Sequence, residues 1–395
     1  MTLLHQDGPT VRDPAVDDAE ALIKEARQRQ RKRRLFIGIV VLIAMVVSGV
    51  TYAVVSRPST RARHTRASSP TKTVSPAQSG PFVSPKAPYA LAVGPNGDLL
   101  VVDGGRGQIL RHLPSGKFQV VAGTGKRGFS GDGGLAIRAE IDGPAGIAVA
   151  KNGAVYFADE GNGRVREILP DGIIKTVAGG GTMPLGTKPV EALSAEFDAS
   201  FGPCGLAIGP NGQIYIGTSA VYRLDSNGML DWVVGSSARD LNKGFNGIYS
   251  NPAFQIDFVQ AVQLAFDGRG DLLVAGGYGF GLYERTATGN LRFLMNFRGP
   301  GASRGSLAAA PDGSVVLTGR TIGLARFQPS GSVTPIAEHS LGTVLGSNNE
   351  FITGDGVAVA PNGDIYLDVD ADFFSSVSAI VELRPNGEVV TLRKS

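Results

Sequence analysis

Hydrophobic positions in this chain fall into two patterns of different period. Leu35 to Val55 reads LFIGIVVLIAMVVSGVTYAVV, 21 residues without a charge. An apolar run of about 20 residues spans the hydrocarbon core of a bilayer as a helix. From residue 90 onward the apolar runs are short and end at glycine turns. Six times an apolar strand leads through a turn into a second one: ALAVGPNGDLLVVD, GIAVAKNGAVYFAD, GLAIGPNGQIYIGT, QLAFDGRGDLLVAG, SLAAAPDGSVVLTG and GVAVAPNGDIYLDV, with turn glycines Gly97, Gly153, Gly212, Gly270, Gly313 and Gly363. A third strand, a second turn and a fourth strand follow each time, with glycines Gly116, Gly172, Gly228, Gly289, Gly331 and Gly387. Asn-Gly, Asp-Gly and Ser-Gly turns between apolar strands predict hairpins with positive φ at the glycine. A lone four-stranded meander cannot bury both faces, but blades stacked around an axis can. The six repeats therefore predict an all-β six-bladed β-propeller over 87–395, following an N-terminal single transmembrane α-helix at 35–55.

Charge is segregated along the chain. The formal net charge is +3, yet residues 1–34 hold 8 Lys/Arg against 6 Asp/Glu, and 35–86 hold 6 Lys/Arg and no acid. That leaves 24 basic and 29 acidic residues beyond 86. The excess base belongs to the membrane-proximal segments, so nucleic acid is excluded as the expected partner. Arg27, Arg29 and Arg31 to Arg34 precede the apolar run and place residues 1–34 in the cytoplasm by the positive-inside bias. Arg57, Arg61, Arg63 and Arg66 on the far flank weaken that asymmetry. A cleaved signal peptide fits less well, because the run is too long and follows a 34-residue lead. In the tail, Asp13 and Pro14 start a predicted helix that either docks a cytoplasmic partner or merely fixes topology. Residues 56–86, rich in Ser, Thr, Pro and basic side chains, read as an extended stalk. The chain is thus expected at the cell membrane, single-pass, with its propeller extracytoplasmic. One cysteine, Cys204, rules out an intrachain disulfide and fits a bacterial envelope better than a disulfide-rich secreted module.

The segment VAGTGKRGFSGDGGLAIRAEIDGPAGIAV and the unit GPAGIAVAKNGAVYFADEGNGRVREI with its TVAG connector resemble NHL repeats. The likeness is specific over 88–179 and fades to the strand–turn pattern beyond, where Thr218, Gly276, Gly319 and Val369 replace Asp103 and Asp159. The resemblance implies a six-bladed propeller acting as a binding platform. Some bacterial receptor kinases carry such a domain as an extracytoplasmic sensor, but no kinase motif is present here.

Strand direction puts both glycine turns of every blade on one face. The connections between second and third strands, and those between blades, lie on the other. Variable loops on a rigid scaffold are where binding concentrates. The expected ligand-binding residues on this loop face are Arg106, Asn162, Arg164, Tyr278, Phe280, Arg320, Asp370, Asp372, Phe373 and Phe374. Between blades lie 125–134, 182–201 and 236–257. Mixed aromatic, Arg and carboxylate side chains suit an extracytoplasmic protein or a cell-envelope polysaccharide. Asp103, Asp159, Asn162 and Arg164 have a second use, tying a turn or bridging blades, and Gly131-Asp132-Gly133 reads as a structural turn. Asp368, Asp370 and Asp372 could offer oxygens to Ca²⁺, but they lack the Gly and the later Glu of an EF-hand loop, so a solvated loop is the ordinary reading and no cofactor is expected. Cys204 reads as a buried filler, and Trp232 as packing on the outermost strand of blade 3. Only His112 and His339 lie in the propeller. Without a repeated His or Glu along the inner strands, a nucleophile–base pair has little support and no catalytic residue is assigned. The expected role is a membrane-tethered binding or sensor module; the alternative is a propeller lyase or hydrolase with a loop- or channel-bound metal.

Overall fold

The structure is a computed structural model that describes residues 80–197, 203–235, 263–276, 281–296, 306–319, 323–336, 356–370 and 378–394. The membrane segment 35–55 and the tail lie outside these residues. Among the described residues no helix is long and apolar enough to cross a membrane. They hold strands and three short 3₁₀ turns, at Ala136–Arg138, Glu160–Asn162 and Ala192–Ser194.

Six antiparallel meanders of four strands form the blades. Blade 1 is Pro88–Val93, Leu99–Asp103, Gln108–His112 and Phe118–Ala122; blade 2 is Pro144–Val149, Val155–Asp159, Arg164–Ile168 and Ile174–Gly179. Blade 3 is Gly205–Ile208, Ile214–Gly217, Ala220–Leu224 and Met229–Gly235; blade 4 is Gln263–Phe266, Leu272–Gly276, Gly281–Arg285 and Leu291–Asn296. Blade 5 is Ser306–Ala309, Val315–Gly319, Gly323–Phe327 and Val333–Pro335; blade 6 is Val357–Val359, Ile365–Asp370, Ser378–Leu383 and Val389–Lys394. Each inner strand touches the next, and that of blade 6 touches that of blade 1, so the ring closes. The all-β six-bladed propeller is therefore the observed fold.

All twelve turn glycines named above have positive φ. The turns are three-residue loops: Gly94 N donates to Asp98 O at 2.9 Å while Gly97 N donates to Gly94 O at 2.9 Å. This is the hairpin whose third loop residue must be left-handed, hence the invariable glycine. Where inner strands meet, a different glycine is required. A Cβ on Gly146 would sit 2.1 Å from Cys204 O. Cys204 itself is buried, as a small filler should be, with Sγ 3.8 Å from Gly217 O.

Three blades carry an outer edge segment that four-strand repeats do not predict. Phe82–Val83, within the segment assigned to the stalk, pairs antiparallel with the fourth strand of blade 1. Leu135 bridges Ile173 outside blade 2, and Val190–Glu191 pairs with Met229 and Leu230 outside blade 3. In each case the chain preceding a blade edges that blade. Trp232 is thus not on the outermost strand of its sheet; it packs between core clusters and donates Nε1–H to Gly235 O at 3.0 Å. The edge segments change burial at one repeated position, two residues after the second turn glycine. Phe118, Ile174 and Leu230 are buried there, whereas Val333 in blade 5 is 38% exposed. The outer strand of blade 5 ends at Pro335, which removes an outward-facing donor from an edge that no described segment covers.

A second pattern runs around the ring. Five residues before the second turn glycine, the third strands carry Arg111, Glu167, Arg223, Glu284, Arg326 and Glu382 in turn, so the sign alternates from blade to blade. Each is paired within its own blade: Arg111 to Asp98, Glu167 to Lys175, Arg223 to Asp231, Glu284 to Arg269 and Arg292, Arg326 to Asp312, and Glu382 to Arg384.

Candidate functional site on the loop face of blades 1 and 2

On the loop face, the connector from blade 1 to blade 2 is fixed by buried polar groups. Asp103 and Asp159 end the second strands of their blades and are both fully buried. Each carboxylate accepts backbone N–H groups from the chain entering its own blade. Asp103 Oδ2 accepts from Lys86 N at 2.7 Å and Oδ1 from Ala87 N at 3.1 Å. Asp159 Oδ1 accepts from Asp142 N at 2.8 Å. Asn162 donates Nδ2–H to Asp159 Oδ1 and to Gly128 O, both at 2.8 Å, and so binds the connector to the blade. The tying use of Asp103, Asp159 and Asn162 is therefore the observed one.

At the centre lies Arg166, 0% exposed, on the third strand of blade 2. Its Nη1 donates to Glu140 O at 3.1 Å and lies 3.5 Å from Asp159 Oδ2. Its Nη2 donates to Ser130 O at 2.8 Å and to Asp132 Oδ1 at 2.6 Å. Asp132 Oδ2 also accepts from Thr176 N at 3.1 Å and Thr176 Oγ1 at 2.6 Å. One guanidinium thus gathers a loop spread over ten residues by using its planar fork of donors. Partial burial works against the charge of Asp132, but the Thr176 and Arg166 hydrogen bonds outweigh it and hold its carboxyl below the usual range. At Asp159 burial prevails over the bonds from Asn162, Asp142 and Arg166 and pushes the carboxyl up.

This frame presents Phe129, 42% exposed, with its ring centroid 3.9 Å from Arg164 Cζ and 5.1 Å from Arg166 Cζ. Arg164 opens the third strand of blade 2 and donates Nη1–H to Asn162 O at 3.1 Å. On its far side a Cβ at Gly180 would fall 2.3 Å from Arg164 Cζ, so the close seat of the guanidinium needs a glycine there, at φ 82°. The next connector continues the surface. Gly181 packs against Ser194, and Met183 and Leu193 are 53% and 55% exposed. An aromatic ring backed by a guanidinium, with apolar side chains alongside, suits contact with a partner's apolar and hydrogen-bonding groups. Lys126–Glu140 at 2.7 Å and Arg127–Asp142 at 3.4 Å frame it as solvent-exposed ion pairs.

Of the sequence-predicted residues, Asn162 and Arg164 come together here. Arg106 lies on the same face in blade 1, half-exposed, with Nε 4.0 Å from Asp103 Oδ2. Asp370 ends the second strand of blade 6, its backbone paired with Ser378. Tyr278, Phe280, Arg320, Asp372, Phe373 and Phe374, like His339, lie outside the described residues. Asp368, read as part of a solvated loop with Ca²⁺ binding as the lesser alternative, is instead a buried strand residue whose N–H donates to Gly356 O at 3.0 Å. Sequence reasoning missed Arg166 and Phe129. The first had a signal, since the aligned third-strand position holds Leu110, Tyr222, Tyr283, Ala325 and Val381 in the other blades. An arginine at a core position implies a buried partner.

Chemistry elsewhere is limited. Asp267, Asp271 and Glu284 form a buried carboxylate trio among the described residues, with Arg269 seated against all three and Arg292 on Glu284. The cationic charge that a metal would bring is already supplied there by guanidinium.

Comparison with known proteins agrees with the geometry. Residues 109–200 match the family model of the teneurin NHL domain. Teneurin-3 of Mus musculus is 37% identical over 110 residues, which cover 24% of this chain and 4% of that protein. The chain therefore spans only a small part of the curated relatives it matches. Among solved structures, virginiamycin B lyase from Staphylococcus aureus is 14% identical, covering 78% of this chain and 84% of that one, with a TM-score of 0.47. A gluconolactonase from Xanthomonas campestris is 11% identical, covering 81% and 88%, with a TM-score of 0.45. Likeness at this level says nothing of substrate or mechanism. Residues 109–200 therefore carry NHL-type repeats, set within an all-β propeller of six closed blades.

Proposed function

We propose that this protein is a membrane-tethered binding or sensor module whose propeller engages an extracytoplasmic protein or cell-envelope polysaccharide through its loop face. The observation that carries the reading is the Phe129–Arg164 stack, displayed to solvent on a connector that Arg166, Asp132 and Asn162 hold rigid. A rigid aromatic anchor binds without the entropic cost of ordering a loop. Tethering is supported by the uncharged run 35–55, and the Ser/Thr/Pro-rich segment 56–79, ahead of the edge strand Phe82–Val83, would supply reach. An enzymatic reading requires an assembled set of reactive groups. Among the described residues His112 is half-buried beside Phe118, Cys204 is buried, and the carboxylate trio is occupied by arginine.

The test is a pull-down from envelope extract with the full-length chain in detergent, comparing wild type with F129A and R164A. Loss of a specific captured partner in both variants, with unchanged melting, supports the reading. Capture that survives both substitutions but fails when the glycine-turn face is altered would overturn it.

A further inference from the structure

The position following the alternating charges, four residues before the second turn glycine, faces the preceding blade. Four blades place an apolar residue there: Ile168, Leu224, Phe327 and Leu383. Blade 1 has His112, which feels Glu382 of blade 6 across the seam, a complementary arrangement. Blade 4 has Arg285, two residues beyond Tyr283 on the side that shares an apolar cluster with Tyr215 of blade 3, and Arg223 is the cross-strand neighbour of Tyr215 on that same side. Among the described residues this is the seam that brings two guanidiniums to the same side. The seam is well defined: the Tyr215 ring of blade 3 lies edge-on to Phe266 of blade 4 at 4.8 Å, within a shared apolar cluster.

The charges there do not balance. Asp231 binds Arg223 Nη2 at 2.8 Å from within blade 3, and Arg285 has no carboxylate partner among the described residues. Tyr215 lies beside both arginines and is itself a hydrogen-bond donor. The Arg285 head reaches over the last turn of its blade, with Nη2 3.6 Å from where a Cβ on Gly289 would stand, so it is presented at the turn face. Arg223 Nε is buried without a hydrogen-bond partner. A half-buried cation placed against a second cation gains most from a bound anion, and guanidiniums match the oxygens of a tetrahedral oxyanion in pairs.

We propose that the turn face of the seam between blades 3 and 4 is an anion-binding site, in which Arg285 and Arg223, with the Tyr215 hydroxyl, hold a phosphate or sulfate group, free or as an ester on a larger ligand. Burial lowers the Arg285 pKa, Tyr215 opposes that in part, and the neighbouring Arg223 lowers it further.

The test is thermal melting of the full-length chain in inorganic phosphate, and separately in sulfate, against chloride at matched ionic strength. Saturable stabilisation of about 2–4 °C is expected for wild type and R285K, and none for R285L. Because leucine occupies this position in blades 3 and 6, R285L should fold and melt above wild type in chloride alone. Equal stabilisation of wild type and R285L, or none in wild type with either anion, would overturn the proposal. Titration of a phosphorylated and a sulfated oligosaccharide into wild type then separates the sources. Tighter binding of an ester than of the free ion, lost in R285L, assigns the site to a larger ligand; equal affinity assigns it to the free ion.

Discussion

Removing Arg166 should loosen the blade 1–2 connector more than any other single change on the loop face. In R166A the fully buried Asp159 carboxylate loses the one cation paired with it among the described residues, Asp132 loses a 2.6 Å ion pair, and Ser130 O and Glu140 O lose their donors. Breaking a buried pair from one side costs about 3–5 kcal/mol. Each orphaned carbonyl adds about 1 kcal/mol. Water entering the loosened connector offsets part of this, so a net loss of about 4 kcal/mol is expected, a large fraction of a typical domain's stability of about 5–15 kcal/mol. The double variant R166M/D159N, in which both buried charges are gone, should recover roughly half of the loss. Urea unfolding reads the global effect. Limited trypsin digestion reads the local one, because Lys126, Arg127 and Arg138 all lie on the connector and should be cut faster. Acid provides a further check. The Asp132 pKa is depressed in the folded protein, so its contribution is complete above the ordinary carboxylate pKa of about 4 and is lost as pH falls below it. That acid-sensitive part should shrink in R166A. A urea midpoint within about 0.5 kcal/mol of wild type, with unchanged digestion, would refute the role given to Arg166.

Three further outcomes follow from positions described above. Gly180→Ala should cost about 1–3 kcal/mol, from its left-handed backbone and the collision with Arg164, and a thermal melt of the variant will show it. Ile174→Ala should cost about 2–5 kcal/mol, whereas Val333→Thr at the equivalent exposed position should lie within about 0.5 kcal/mol of wild type, both by urea unfolding. His112 has its pKa lowered by burial, with Glu382 opposing in part, so the folded state favours neutral imidazole. Its contribution is present above the unfolded pKa of about 6.5 and is lost as pH falls toward the folded value. H112F should flatten the melting temperature between pH 7 and 5, and an unchanged slope would exclude the histidine as its source.

Most of the propeller was legible because one residue type answers one conformational demand. At Gly97 or Gly172 the third loop residue must be left-handed, and the sequence repeats glycine wherever the chain turns. The added edge segments were not legible, since Phe82–Val83 and Val190–Glu191 are two residues each and carry no period of their own. What defines them is the outer strand they meet, a contact distant in sequence. On the loop face, residue types pointed to Arg164 and to Asn162, whose tying role was foreseen, but not to the contact that Arg164 makes. Asn162 is spent on Gly128 O, while Arg164 is held against Phe129, an aromatic in a glycine-rich stretch with no periodicity to mark it. Arg166 could have been found by aligning the third strands and asking why one core position is charged.

The alternating third-strand charges impose a rule of parity. A sequence of signs that reverses at every step around a closed loop returns to its starting sign only if the number of steps is even. Losing or copying a single blade would therefore set two like charges on neighbouring blades, whereas losing or copying a consecutive pair would leave the alternation whole. By this rule the unit in which the ring can shrink or grow is a pair of blades, from Arg111 with Glu167 through Arg326 with Glu382.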